Sequence, residues 1–315
     1  MRVSKDPRPV VGLIGLGNMG TAFGERLLEG GYELVVSNRT AGKSESLEAR
    51  GARAAGTPEE LAAQVDVVLT SLSDDEAFET VASRIVDAAR PGTVLVDAST
   101  VSAASSARVA AHAEARSVRY LRAPVSGNPS VVRAGNLSFV VSGDRETLDE
   151  VEPVLLAIGP TIHHVGGTEQ ARVVKLAINL MIAVLAQAMS EALVLGEAGG
   201  VSRSALLEVM ASSAVGAPFV KYKTDALLRD EYSATFTTAL MEKDIDLVLD
   251  AADEGGIELP LASEMKAQLH AAIDAGYADD DFIALFHHLR RRIGLSTGVG
   301  TAGGATKQLE QEVAP

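Results

Sequence analysis

Cysteine does not occur in the 315 residues, tryptophan is absent as well, and aromatic residues make up only 4% of the chain. Without thiols there can be no disulfide, no cysteine nucleophile and no cysteine-based metal site. The absence suits a reducing cytoplasm, which is the expected location. With so few rings, the interior has to be built from Ala, Val and Leu. No unbroken run of about 18 apolar residues occurs, so no membrane span and no membrane partner are expected. The opening MRVSKDPRP lacks the apolar stretch of a signal peptide. Positive charge is also scarce: 28 Lys and Arg against 42 Asp and Glu leave a net charge of −14. A phosphate backbone would repel that surface, which argues against a nucleic-acid partner. The chain does have enough apolar residues (47%) and few enough charged ones (22%) to fold rather than remain disordered. Its length fits two domains at ~100–200 residues each.

The first half alternates short apolar runs with helical stretches. Strands are expected at Val10–Ile14, Leu34–Ser37, Val65–Leu72, Val94–Asp97, Val118–Leu121, Leu137–Ser142 and Thr161–Val165. Thr57-Pro58-Glu59-Glu60 orders a cap, an N1 proline and an N3 glutamate, which starts a helix. Strands separated by helices imply βαβ units and a largely parallel sheet. The pattern changes near Gly166-Gly167. From Glu169 to Ala198 apolar residues recur at helical spacing, about 45 Å of helix at ~1.5 Å per residue. Further helices are expected at Arg203–Ser212, Thr238–Glu254, Leu261–Ala275 and Asp281–Ile293. The fold class read from this pattern is α/β: an N-terminal Rossmann-type dinucleotide-binding domain over 8–168 and an all-α C-terminal domain over 169–294. A long interdomain helix joins them, and a Gly/Thr-rich segment, 295–315, reads as a flexible tail.

Gly15-Leu16-Gly17-Asn18-Met19-Gly20 follows the first strand and opens a helix, the setting in which a GxGxxG fingerprint carries weight. Gly15 permits the tight turn, Gly17 the approach of a pyrophosphate, and Gly20 close helix–strand packing. The helix N-terminus supplies free N–H groups and positive dipole for the phosphates. The second strand ends at Asn38-Arg39-Thr40, where an NAD site usually places an acidic residue for the ribose 2′-hydroxyl. A guanidinium there can pair with a 2′-phosphate, so NADP(H) is favoured over NAD(H).

Five ordered segments, GLGNMG, Asp97-Ala98-Ser99-Thr100, Ala123-Pro124-Val125-Ser126-Gly127, Lys175-Leu176-Ala177-Ile178-Asn179 and Lys243-Asp244, together resemble the β-hydroxyacid dehydrogenases over residues 10–293. That is the group of 3-hydroxyisobutyrate dehydrogenase and tartronate semialdehyde reductase, with a 6-phosphogluconate dehydrogenase-like fold. The resemblance implies hydride transfer between a nicotinamide and a small hydroxyacid or semialdehyde, and a homodimer or homotetramer. Lys175 matches the catalytic lysine, with Asn179 beside it. Ser126 and Gly127 match the substrate-binding Ser-Gly, Asp244 matches a position bordering the site, and Asn128, next in the chain, joins them as a candidate substrate-binding residue. Leu72, Ser73, Ser99, Thr100 and Lys243 match cofactor-contacting positions. The chemistry agrees, because reducing a carbonyl needs a proton donor, and a lysine with a lowered pKa can serve. Residues 175 and 179 share a helix face.

Departures from the family pattern gather around the expected pocket. Asn128-Pro129 replaces a glycine that offers backbone N–H groups to a substrate carboxylate, and Pro129 has no N–H. Arg122 stands in place of Asp, Glu169 and Ala171 in place of glycines, and Ile178 in place of Asn. These changes put the common small substrates in doubt and leave Asn128 and Arg133 to read another polar group. Two rival readings remain: an imine reductase or reductive aminase of the same fold, and a non-catalytic NADP-binding scaffold. Lys175 argues against both. No metal site is expected. His163-His164 point to opposite faces of a strand, Asp279–Asp281 reads as a helix cap, and Phe219, Tyr222 and Phe236 read as core.

Overall fold

The computed structural model describes residues 8–295; the expected tail beyond Leu295 lies outside them. Nine strands form one sheet in the order β3-β2-β1-β4-β5-β6-β8-β7, with β9 against β8. The strands are β1 Val11–Ile14, β2 Leu34–Ser37, β3 Arg53–Ala54, β4 Val67–Thr70, β5 Val94–Asp97, β6 Arg119–Arg122, β7 Val125–Ser126, β8 Ser138–Ser142 and β9 Thr161–Gly166. The first six are parallel, as expected from the βαβ rhythm. β8 runs antiparallel to β6 and β7, a reversal made possible by the turn and short helix that follow β7.

Strands β1, β2, β4 and β5 are buried from end to end because helices cover both faces. Val11, Leu13, Val36, Val67 and Val96 join one core with Phe23 and Leu27 of the helix Asn18–Glu29 and Leu148 and Val151 of the helix Arg145–Ile158. Their neighbours in sequence, Ile14, Val35, Val68 and Leu95, point the other way into a second core with Leu61, Phe78, Ile85 and Val109. Each such fully buried side chain contributes roughly 1.5–3 kcal/mol. The cap at Thr57 forms as expected: its side chain accepts from the Glu60 N–H, while the Glu60 carboxylate accepts from Gly56 N at 2.9 Å.

The long helix spans Gln170–Ala198, and helices Arg203–Ser212, Pro218–Arg229, Thr238–Glu254, Pro260–Ala272 and Leu285–Arg292 follow it. Ala183, Ala186, Met189 and Leu193 place one side of the long helix in the second-half core. Averaged over 18 residues this helix has a mean hydropathy of 1.8, long and apolar enough to cross a membrane by length and composition. The search for an unbroken run misses it because Asn179, Gln187 and Glu191 punctuate an Ala- and Leu-rich sequence. Phe219, Tyr222, Phe236 and Phe282 pack ring to ring; Phe219 is buried as the core reading expects and Phe236 half-buried, but Tyr222 is 46% exposed and stands at the rim rather than in the core. Asp281 caps Ile283 N as expected, but its two carboxylate oxygens also accept from the buried Lys223 ammonium, at 2.7 and 2.8 Å.

Candidate active site

The C-terminal ends of β1, β4 and β5 lie side by side at one edge of the sheet, where the strand order changes direction between β1 and β4, the switch point at which open parallel sheets take their ligands. The glycine loop behaves as its spacing requires. Gly15 has φ +93°, and a Cβ there would fall 2.2 Å from Ser71 O. A Cβ on Gly20 would fall 1.9 Å from Gly15 O, so only glycine lets the helix sit this close. A Cβ on Gly17 would meet nothing within 4 Å, and the helix it precedes has no side-chain cap. The loop therefore leaves the N–H groups of Gly17, Asn18 and Met19 without a described partner at an open surface, a shape and polarity that fit a dinucleotide pyrophosphate.

Asn38, expected at the ribose, is drawn inward. Its Oδ1 accepts from Leu16 N at 2.9 Å and its Nδ2 donates to Thr40 O at 3.1 Å, so it braces the glycine loop against the end of β2. Arg39 and Thr40 remain exposed beside it. Arg39 is close enough to Asp74 to help lower that carboxyl, which is held down first by the Ser73 hydroxyl and then by the Ala77 N–H, with Lys243 adding to the effect. Leu72 N donates to Ser99 Oγ at 2.8 Å, joining the loops after β4 and β5.

The second half of the chain meets this edge through its own charged groups. Lys243 donates to Thr100 O at 2.7 Å and pairs with Asp244 at 2.8 Å. Asp244 is fully buried and accepts from Asn179 Nδ2. One helical turn before Asn179, the partly buried Lys175 makes no hydrogen bond or ion pair among the described residues. Burial holds its pKa below the ordinary lysine value and Lys243 adds to this, while Asp244 opposes both. The structure thus gathers Lys175, Asn179, Lys243, Asp244, Ser99 and Thr100 at one edge. Ser126 and Gly127 lie at the end of β7, with no described hydrogen bond to that cluster.

Two expectations change. Asn128 Oδ1 caps the helix Pro129–Arg133, accepting from Ser130 N at 3.0 Å, Val131 N at 3.1 Å and Ser130 Oγ at 2.6 Å; only its Nδ2 remains to meet a ligand. Arg133 does not reach the edge, because its guanidinium pairs with Glu25 at 2.7 Å. The departures at Arg122 and Glu169 also answer one another. Arg122 Nε donates to Glu169 Oε1 at 2.9 Å and its guanidinium lies 4.5 Å from the Tyr120 ring centre. They form a bridge from β6 to the start of the long helix rather than a feature of the pocket.

Sequence reasoning missed Arg172. It is 1% exposed, donates to Ser99 O at 2.6 Å and Tyr120 OH at 2.9 Å, and pairs with Asp97, itself fully buried. Asp97 also accepts from Ser99 Oγ at 2.6 Å and from Thr70 Oγ1. Burial pushes the Tyr120 phenol up to about 12, so it stays a neutral donor and acceptor. The available signal was a lone arginine three residues before Lys175, on the same helical face.

Comparison with known proteins agrees with this architecture. Residues 10–166 match the NAD binding domain of 6-phosphogluconate dehydrogenase, and residues 170–289 the NAD-binding domain of NADP-dependent 3-hydroxyisobutyrate dehydrogenase. An oxidoreductase of Bacillus subtilis is 34% identical over 87% of this chain and 98% of its own length. The NAD-dependent L-serine dehydrogenase of Pseudomonas aeruginosa is 32% identical, over 86% and 95%. Among solved structures, Mycobacterium tuberculosis 3-hydroxyisobutyrate dehydrogenase with L-serine superposes with a TM-score of 0.80 at 32% identity, over 90% of this chain and 99% of that one. A Pseudomonas imine reductase shares the fold alone, at 22% identity and a TM-score of 0.61 over 90% of this chain and 100% of that one. The chain belongs to the β-hydroxyacid dehydrogenase family. It is an NAD(P)-dependent oxidoreductase of the hydroxyacid dehydrogenase type.

Proposed function

We propose that the protein interconverts a small hydroxyacid and its semialdehyde or keto acid, with NADP(H) preferred and Lys175 as the general acid and base. The observation that carries this reading is the partly buried, unbonded Lys175 ammonium beside the Asn179–Asp244 pair, at the edge where the glycine cradle opens. Gly15, Leu16, Gly17, Asn18, Met19 and Gly20 would hold the pyrophosphate, and Arg39 with Thr40 the adenosine end. Leu72, Ser73, Ser99, Thr100 and Lys243 would line the nicotinamide side. When bound, the nicotinamide supplies or accepts the hydride.

The remaining work falls to this chain's side chains. Lys175 gives its proton to the carbonyl oxygen in reduction and takes one from the hydroxyl in oxidation. Asn179, its amide fixed by Asp244, orients the oxygen that Lys175 serves. Ser126, Gly127 and the Nδ2 of Asn128 would hold the far end of the substrate. Arg39, exposed and without a hydrogen bond among the described residues, supports the NADP(H) preference. The apolar outer side of the long helix, with Val173, Met181 and Leu195 at 58%, 73% and 75% exposure, supports a homo-oligomer.

The test is turnover of purified protein with NADPH and succinic semialdehyde or glyoxylate, and with NADP+ and 3-hydroxyisobutyrate or L-serine, beside a pool of cyclic imines. We expect turnover in the acid pools and its loss in Lys175→Ala. Turnover confined to the imines, or an undiminished Lys175→Ala, would overturn the reading.

A further inference from the structure

The two helices that carry the lysine cluster are fastened to the sheet at adjacent carbonyls of a single loop. Arg172, from the first turn of the long helix, holds Ser99 O, and Lys243, from the helix Thr238–Glu254, holds Thr100 O. The same loop fixes the turn after β4 through Ser99 Oγ and Leu72 N. Ser99, Asp97 and Tyr120 all converge on one guanidinium.

We propose that Arg172 is a positioning residue for the reaction: its grip on Asp97, Ser99 and Tyr120 sets where Lys175 stands against the loops that follow β4 and β5. The two residues are three apart, about 4.5 Å along one face of a rigid helix. A shift of the helix start is therefore passed to Lys175 almost undiminished. The guanidinium suits this task because its planar donors meet four acceptors in fixed directions, Asp97, Ser99 O, Tyr120 OH and, at 3.4 Å, Ser106 Oγ, which an ammonium cannot reproduce. Stability alone explains the arrangement poorly, since buried ion pairs are often matched by apolar residues of the same volume. The surroundings of Lys175 depend on the same placement: burial keeps its pKa low, and Asp244 and Lys243 act on it in opposite senses. Lys243 is itself anchored at Thr100, so a displaced long helix changes the distances from Lys175 to both.

The inference rests on the acid–base role given to Lys175, and the test separates the two. Arg172→Gln, Arg172→Lys, Tyr120→Phe and Lys175→Ala would be made in the full chain. The first readout needs no cofactor: the pH midpoint for acetylation of Lys175 by acetic anhydride, followed by peptide mass spectrometry. The second is kcat and KM with NADPH and whichever semialdehyde the wild type reduces. We expect Arg172→Gln to raise the midpoint toward that of the surface lysines. It should also lower kcat by about 10- to 100-fold, the scale of a misplacement near 1 Å, and leave the cofactor KM within about threefold. Arg172→Lys should recover part of both. A folded Arg172→Gln protein with the wild-type midpoint and kcat overturns the proposal. So does a parallel loss of kcat, cofactor KM and melting temperature that Arg172→Lys leaves uncorrected. If Arg172→Gln does not fold, Tyr120→Phe decides: it removes one acceptor and keeps the ion pair, so a raised midpoint at native melting temperature supports the proposal and an unchanged one overturns it. Undiminished turnover in Lys175→Ala would remove the acid–base role while leaving the midpoint to report on positioning.

Discussion

At Lys175 opposing influences meet, and their balance has a direction that can be measured. Burial and Lys243 favour the free amine, Asp244 favours the ammonium, and the amine gains. Reduction needs the ammonium as donor, so its kcat should fall as pH rises through the lowered pKa. Oxidation needs the amine, so its kcat should rise over the same range. Rate profiles in both directions would show mirrored limbs in the wild type, and Lys175→Ala should lose both along with about 10²–10⁴ of the rate. Arg39 offers a second test at this scale. Arg39→Ser should raise the KM for NADP(H) by about tenfold or more, as expected when a charged contact worth ~1.4 kcal/mol is lost. The KM for NAD(H) should stay unchanged.

Elements show where sequence reasoning reaches and where it stops. Strands β2 and β5, and helices Arg203–Ser212 and Thr238–Glu254, were legible to the residue because their apolar periods are clean and their caps conventional. The two-residue strands β3 and β7 were not, because so short a pairing is set by its neighbours and leaves no period to read. Asn128 was legible as a polar residue in an unusual place, but its use as a cap depends on a helix of only five residues. Arg122 and Glu169 lie 47 positions apart, and nothing local in either says that they pair. The glycine loop was the most legible part, since each glycine answers a local steric demand, and it can be dissected. Gly17→Ala should leave the melting temperature unchanged and weaken NADPH binding by about tenfold or more, because the added methyl meets only the cradle. Gly20→Ala should destabilise the fold itself by about 1–3 kcal/mol, since its methyl strikes Gly15 O. Scanning fluorimetry beside NADPH fluorescence titration would separate the two. The bridge at the start of the long helix makes a similar contrast. Arg122→Met should cost about 1–3 kcal/mol by stranding Glu169, and the double change Arg122→Met with Glu169→Met should recover most of it in chemical denaturation.

Across the whole molecule, the outer side of the long helix gives the proposed homo-oligomer its own prediction. Met181→Glu together with Leu195→Glu places two charges on that apolar surface, and sedimentation should then show a shift from dimer or tetramer toward monomer. The described hydrogen bonds and ion pairs between the sheet and the helical half have a mechanical consequence of their own. On the helical side they involve Lys243 and the first residues of the long helix with the cap before it, 169–172, and two of them end on the neighbouring carbonyls of Ser99 and Thr100. A body pinned at one end pivots there, and displacement grows with distance from the pivot. The long helix reaches about 43 Å at ~1.5 Å per residue, so a small rocking motion would sweep its far end widely while Lys175, a single turn from the pins, hardly moves. In such a lever Lys175 stands at the fulcrum, the still point of the swing, and the group proposed for proton transfer keeps its place against the sheet.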